Sequence, residues 1–252
     1  MDLNADMAEG FGVWKLGDDD ALLDVITSAN VACGFHGGDP ATMRRVCATA
    51  AARGVAVGAQ VSYRDLVGFG RRRIDYAFDE LRDDVIYQIG ALDAFCRVAG
   101  KAVRYVKPHG ALYNVAAVDE AQAAAVVAAI RDYDRSLPLL CGPGSTLAEI
   151  AVGAGLSVIA EGFADRAYEP DGRLVSRSQP GAVVDDPDAV VHRALRLARE
   201  GTVTAVDGSV IPLRVASICL HSDTRGAADL ARRIRDALTG AGIPLAPFAG
   251  QA

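Results

Sequence analysis

Long apolar runs are missing from this chain. No stretch of about 18 consecutive apolar residues occurs, so no membrane-spanning helix is expected. The opening Met1-Asp2-Leu3-Asn4-Ala5-Asp6 has no basic segment leading into an apolar one, so no secretory leader is expected either. Cysteine is sparse: Cys33, Cys47, Cys96, Cys141 and Cys219 are scattered, with no Cys-x-x-Cys pair. An odd, dispersed set speaks against a disulfide framework or a zinc site and predicts reduced, buried thiols in a cytoplasmic protein. Positive charge is not in excess, since 26 Lys and Arg face 32 Asp and Glu for a formal net charge of −6. A nucleic-acid binder would ordinarily show a basic surface. Three catalytic signatures are absent as well: the P-loop with its lysine, the Gly-x-Ser-x-Gly elbow and the His-Glu-x-x-His metal helix. Cys141-Gly142-Pro143-Gly144-Ser145-Thr146 follows an expected strand and opens an expected helix, so its amides could hold an anion, but it lacks the P-loop lysine and spacing.

What is present is a long, well-patterned globular chain. Its 252 residues, 51% hydrophobic and 23% charged, suit a single domain over residues 1–252 of the size of one α/β barrel. Short apolar runs at residues 3–5, 29–33, 55–59, 105–107, 137–141, 157–161 and 215–220 read as strands, with 244–246 a possible eighth. Amphipathic stretches lie between them. Leu81, Val85, Ile89, Leu92 and Cys96 recur at the three-to-four spacing of one buried helix face. Asp39-Pro40 and Asp186-Pro187 each set a capping carboxylate before proline at the first helical position, and Asp119 with Gln122 reads as a capping box. Alternating strands and helices predict a parallel sheet, and seven or eight units favour a closed barrel, with an open doubly wound sheet as the alternative. Residues 163–183 break the rhythm. They are polar and turn-rich around Pro170-Asp171-Gly172, and a loop of this length in a compact domain is usually functional or disordered.

Polar residues gather where the expected strands end. Asn4, Asp6 and Glu9 lie at the first, His36 and Asp39 after the second, Gln60 at the third, and Lys107 with His109 at the fourth. Glu161, Asp165 and Arg166 follow the sixth, and His221 with Asp223 the seventh. In an α/β barrel those ends converge on one mouth, where active sites form. Plainer roles exist: Asp39 caps a helix, a lone histidine is a structural hydrogen-bonder, and Lys107 snorkels to solvent. Three of the four histidines at equivalent strand ends weigh against that reading for the set. Lys107, between Val106 and Pro108, would need an anionic partner on an inner strand. Arg166 and Arg177 on the long loop suit bidentate recognition of a carboxylate.

At these residues the chain resembles the LamB/YcsF family. The resemblance rests on Asp2-Leu3-Asn4-Ala5-Asp6 with Glu9-Gly10, on the run Ser28-Ala29-Asn30 through Cys33-Gly34-Phe35-His36, and on Val106-Lys107-Pro108-His109-Gly110-Ala111-Leu112-Tyr113-Asn114. Glu161-Gly162-Phe163-Ala164-Asp165-Arg166, Ser176-Arg177-Ser178-Gln179 and Cys219-Leu220-His221 complete it. It implies a seven-stranded (β/α) barrel of the glycoside hydrolase/deacetylase type. It also implies the A component of an ATP-dependent 5-oxoprolinase, acting with subunits B and C to turn 5-oxo-L-proline, ATP and water into L-glutamate, ADP and phosphate. Asp6, His36, Lys107 and His109 are then the candidate catalytic residues. Asn4, Glu9, Asp39, Gln60, Asn114, Glu161, Asp165, Arg166, Arg177, Gln179 and His221 are candidates for binding the lactam. ATP is expected as a co-substrate bound mainly by the partners.

One position departs from the family pattern. Many relatives read Gly-Ala-His-Pro-Ser on the third strand, where this chain has Gly58-Ala59-Gln60-Val61-Ser62. Related deacetylase-like barrels hold a divalent metal with an aspartate and two histidines, a role that would fall here to Asp6, Gln60 and His109. Glutamine is a poor ligand for such ions, so no metal is expected. A metal-dependent deacetylase of N-acetyl sugars and a non-catalytic component that stabilises its partners are the competing readings.

Overall fold

Each strand of a barrel turns alternate side chains toward the surrounding helices and toward the barrel axis. The computed structural model, which describes residues 1–223 and 226–250, builds this pattern from β1 (Asp2–Met7), α1 (Asp19–Leu23), β2 (Ser28–Ala32), α2 (Pro40–Arg53), β3 (Ala56–Val61), α3 (Phe78–Val98), β4 (Tyr105–Pro108), α4 (Gly110–Ala116) and α5 (Glu120–Asp134). The chain continues with β5 (Leu139–Cys141), α6 (Thr146–Gly153), β6 (Val158–Phe163), α7 (Pro187–Glu200), β7 (Thr202–Thr204), β8 (Val210–Pro212), β9 (Ser217–Leu220) and α8 (Ala227–Gly240). Strands β1 to β6 and β9 pair in parallel, in that order, and β9 closes the barrel by pairing with both β6 and β1. The closed barrel with flanking helices is the architecture that the alternation of strand and helix predicts.

The outward residues are apolar. Leu3, Ala5 and Met7 of β1, Val57, Ala59 and Val61 of β3, and Ile218 and Leu220 of β9 join the main core beneath the helices. The α3 stripe of Leu81, Val85, Ile89, Leu92 and Cys96 is fully buried in the same core, as its spacing predicts. Capping behaves as expected at Asp39 and Asp186, whose carboxylates accept from the first-turn amides of α2 and α7. Asp119 caps α5 by accepting from the Gln122 amide, but the Gln122 side chain reaches instead to the Tyr76 carbonyl and Tyr63 hydroxyl.

The inward residues are unusually polar for a barrel. Asp2, Asn4 and Asp6 of β1 face Ser28 and Asn30 of β2, Lys107 of β4, Glu161 of β6, and Ser217 and Cys219 of β9. Below them the barrel base is closed by Tyr105, whose hydroxyl donates to Asn30 Oδ1 at 2.7 Å and whose ring meets Phe248 edge-on at 4.9 Å. Tyr105 fits because Gly58 lies opposite: a Cβ there would come within 2.1 Å of the ring.

Two expectations change. Residues 244–246 do not form a strand. They cross the barrel base, where the N-terminal amine donates to the Pro244 carbonyl at 2.8 Å and the Ala246 amide to the Met1 carbonyl at 3.1 Å. Proline at 244 and 247 removes donors that a ladder would need. The antiparallel pair β7–β8 is an addition to the expected elements, although Asp207-Gly208 between its strands is a hairpin-turn dipeptide.

Candidate functional site

The C-terminal ends of the barrel strands open into a cavity of about 1200 Å³. Its floor is made by Asp6, Gln60, Lys107, His109 and Glu161, and its walls include Tyr113, Phe163, Arg166 and His221. The rim carries Arg71, Asn114, Ser145, Arg177 and Gln179. The 163–183 segment forms one side of this rim. A short turn there bonds Glu169 to Arg173, and Tyr168 bridges to Leu174.

Lys107 is the centre of the floor. The residue is 2% exposed, and its ammonium group has four acceptors within 3.4 Å: Glu161 Oε1 at 2.8 Å, Cys219 Sγ at 3.0 Å, Asp6 Oδ1 at 3.3 Å and Asn4 Oδ1 at 3.4 Å. Burial alone would favour its neutral form, but the charge of Asp6, with Cys219 and Glu161, holds its pKa well above the ordinary lysine value. Burial likewise works against an ionised Asp6, yet the Lys107 charge above all outweighs it and keeps that carboxyl well below its usual range. For Glu161 burial dominates over Lys107, so its carboxyl is pushed up, and Oε2 has no hydrogen-bond partner. The floor is thus a firm Lys107–Asp6 ion pair beside a carboxyl that protonates more readily.

Next to this pair is His109. Its Nε2 lies 3.0 Å from the Phe69 carbonyl, which only accepts, so that nitrogen carries the hydrogen and Nδ1 carries the lone pair. Nδ1 stands 3.9 Å from Asp6 Oδ2 and 3.6 Å from Glu9 Oε1. Burial, then the neighbouring His36, drives the His109 pKa well below the ordinary histidine value. A buried neutral imidazole with a free lone pair is a proton acceptor.

Behind His109 lie two predicted residues that do not line the cavity, His36 and Glu9. The β2–α2 loop reaches Glu9 because Gly37 packs directly on the Glu9 backbone; a Cβ at 37 would be 2.7 Å from its carbonyl oxygen. His36 stacks on His109 with ring centroids 3.8 Å apart and planes 11° from parallel, and its Nε2 is 3.4 Å from Glu9 Oε1. Burial raises the Glu9 carboxyl, and Ser222 donates to its other oxygen at 3.0 Å.

Glu9, His36 and His109 bring three donor atoms within 4.8 Å of one another. That raises the question of a metal ion. An imidazole binds a metal in its ring plane at about 2.0–2.1 Å. Two stacked, nearly parallel rings share no common plane, so an ion that close to both nitrogens would sit out of the plane of at least one ring. As arranged, this donor set does not fit an ion. The trio expected from the resemblance, Asp6, Gln60 and His109, contains an amide.

The other predicted residues divide by position. Asp165 Oδ2 lies 2.8 Å from His221 Nδ1; burial opposes the charge of this carboxyl, but His221 lowers its pKa. Arg166 lines the wall but spends its guanidinium on the Ala182 and Val175 carbonyls, at 3.1 and 2.6 Å, which ties down the 163–183 segment. Burial, with Arg177 nearby, lowers its pKa to about 10. Arg177 and Gln179 are exposed at the rim, and the Asn114 amide donates back to the Gly110 carbonyl. Asn4 is in the barrel beneath Lys107, and Asp39 stays outside the cavity, capping α2 and holding the Gly12 amide at 2.8 Å. Sequence reasoning missed Asn30, Tyr113 and Cys219. Asn30 is one alternation step along β2 from Ser28, Tyr113 lies one helical turn beyond His109, and Cys219 reads in the sequence only as a buried thiol.

The model described as the LamB/YcsF family matches residues 1–252. The chain belongs to the LamB/YcsF family. Among its relatives, a protein of Mycobacterium avium (strain 104) named as the A component of 5-oxoprolinase is 59% identical over 248 residues, covering 98% of both chains. Another of that name from Streptomyces avermitilis is 61% identical over 249 residues, covering 99% of this chain and 100% of the relative. A solved lactam utilization protein from Thermus thermophilus superposes with a TM-score of 0.92 at 43% identity, covering 99% of each chain. Most of the LamB/YcsF blocks read from the sequence line one cavity, through Asp6, Lys107-His109, Glu161, Phe163, Arg166, Ser176-Gln179 and His221, while the 28–36 block lies behind it.

Proposed function

We propose that this chain is the hydrolytic A component of an ATP-dependent 5-oxoprolinase, opening the ring of 5-oxo-L-proline to give L-glutamate. The observation that carries the reading is His109: a buried imidazole with a free Nδ1 lone pair, beside a Lys107–Asp6 ion pair, on the floor of a cavity large enough for the lactam. Relatives covering nearly the whole chain bear that name. His109 takes a proton from water as its oxygen attacks the lactam carbonyl carbon. Once ATP has phosphorylated the lactam oxygen, with release of ADP and loss of the ring N–H proton, both hydrogens of this water pass to the ring nitrogen as the C–N bond breaks and its oxygen stays on carbon; a second water then releases phosphate from the resulting acyl phosphate to leave glutamate. The Lys107 charge opposes the negative charge that develops on the carbonyl oxygen, and Asp6 steadies the transient imidazolium. Arg177 at the rim receives the substrate carboxylate.

A lactam is a resonance-stabilised amide, and ATP drives its opening by activating the oxygen. The reading gives nucleotide chemistry mainly to the partner subunits B and C, in the cytoplasm, and the lack of a P-loop in this sequence supports it. No described helix is long and apolar enough to cross a membrane. The deacetylase alternative requires a metal, and the trio expected to hold it, Asp6, Gln60 and His109, contains a poorly ligating amide. The deciding experiment measures glutamate and ADP from 5-oxoproline and ATP with this chain alone, with the partners alone, and with all three. Glutamate only from the full mixture supports the proposal; none from a folded, assembled mixture refutes it.

A further inference from the structure

Gln60 is among the residues that the sequence marks as candidates for binding the lactam, and no contact described above gives it a specific role. It is fully buried on β3, it lines the cavity floor, and neither its amide nitrogen nor its amide oxygen has a hydrogen-bond partner. A buried primary amide left wholly unpaired is costly, because its nitrogen and oxygen give up water and gain no partner in exchange. It is next to the chemistry: Gln60 pairs in register with Lys107 on the adjoining strand, one residue pair before Val61 and Pro108. Two nearby polar groups are engaged elsewhere: Lys107 is surrounded by its own four acceptors and His109 Nε2 is held by the Phe69 carbonyl.

We propose that the Gln60 carboxamide reads the lactam edge of the substrate, so that in this chain it favours a cyclic amide over ring analogues that lack the N–H. This rests on the ring-opening function proposed above. A five-membered lactam is forced into the cis amide geometry, so its N–H and C=O lie side by side on one edge. A primary carboxamide presents the complementary pair, Nε2–H and Oε1, on one edge of its own. The two close a ring of two hydrogen bonds, with Gln60 Nε2 donating to the lactam oxygen and the lactam nitrogen donating to Gln60 Oε1. When the lactam oxygen is activated and the ring nitrogen loses its hydrogen, that nitrogen accepts from Nε2 instead. A carboxamide serves both forms; a carboxylate, an imidazole or an ammonium group offers only part of this pattern. Such a site rejects an analogue that lacks the N–H because Oε1 is then left unpaired.

The test compares 5-oxoproline with its lactone analogue, in which ring oxygen replaces N–H. Affinities are measured by calorimetry on the complex assembled with its partners, for the wild type and for Gln60→Leu and Gln60→Met. These apolar replacements leave no buried amide to satisfy, and thermal melting checks that they fold. The wild type is expected to prefer the lactam by about tenfold to a hundredfold, corresponding to one unpaired buried group. In the variants the preference should collapse to within about threefold, through weaker lactam binding and nearly unchanged lactone binding. Equal loss of both ligands, or a preference that survives in both variants, overturns the assignment while leaving the lactam reading in place. Binding of neither ligand to the wild type overturns both.

Discussion

At the scale of single residues, the site sets charged groups against burial. Lys107 and Asp6 hold each other's charge where neither would persist alone, and the cost of removing one partner from such a pair exceeds the value of the pair. Lys107→Met should therefore leave Asp6 and Glu161 facing each other without a cation. We expect glutamate formation by the assembled enzyme to fall by at least about a hundredfold, with a measurable drop in the urea midpoint. His109→Gln should cost about 10² to 10⁴ in kcat while the fold persists, since the amide still donates to Phe69 but accepts no proton. The direction of the His109 shift gives a pH signature. Its pKa lies well below the ordinary 6.5, so the neutral base predominates at every pH above that lowered value and is lost only as pH falls through it. The acid limb of kcat/KM should accordingly lie below pH 6.5, and a limb at or above that value would contradict the assignment. Two non-glycine residues with positive φ, Ala8 at 59° and Phe69 at 55°, sit directly at this machinery. One precedes Glu9 and the other supplies the carbonyl that sets the His109 tautomer, and such conformations cost about 1–3 kcal/mol each.

At the scale of elements, loops rather than strands hold the second layer of the site. Asp39 caps α2 through the Ala41 and Thr42 amides and also grips the Gly12 amide of the β1–α1 loop. Its carboxyl is lowered chiefly by the Thr42 and Gly12 amides, an observation that fits a structural anchor. Asp39→Ala should destabilise the protein by about 1–2 kcal/mol in urea unfolding, with a smaller effect on catalysis than His109→Gln. Arg166 does the same for the 163–183 segment by bonding two of its carbonyls. Lysine keeps the charge but lacks the planar fork that reaches both. Arg166→Lys should make residues 170–185 cleave faster in limited proteolysis and raise KM, while Arg177→Lys should raise KM without the change in proteolysis.

At the scale of the whole molecule, the barrel is closed at one end and open at the other. Phe248 and Ala249 pack on Tyr105 and Leu140 beneath the polar interior, and the Arg104 guanidinium holds the Gly250 carbonyl at 2.5 Å. Water entering from the base would compete for the hydrogen bonds of Asp2, Asn4 and Asn30. Phe248→Ala should cost about 2 kcal/mol of stability, measured by chemical denaturation, from the apolar area it uncovers.

Much of this was written locally in the chain. Apolar alternation, the α3 stripe and the Asp-Pro caps depend on neighbours within a few residues, so they mark the barrel strands, the helices and the mouth where Asp6, Lys107, His109, Glu161 and His221 meet. The residues that sequence reasoning left out or left ambiguous are those whose partners are far along the chain. Asn30 matters because β1 and β4 flank it in space, Cys219 because β9 closes against β1 beside Lys107, and Phe248 because the tail folds beneath β4. Asp39 and Arg166 look like ligands in the sequence, whereas the fold turns their side chains onto backbone. Which polar groups are satisfied and which are left open toward the cavity depends on distances across the closed barrel. That is why residue types and periodicity determined the architecture and the address of the cavity, while tertiary packing alone decided that His109 keeps an unshared Nδ1 lone pair, that Lys107 is surrounded by acceptors, and that the Gln60 amide has no hydrogen-bond partner among the described residues.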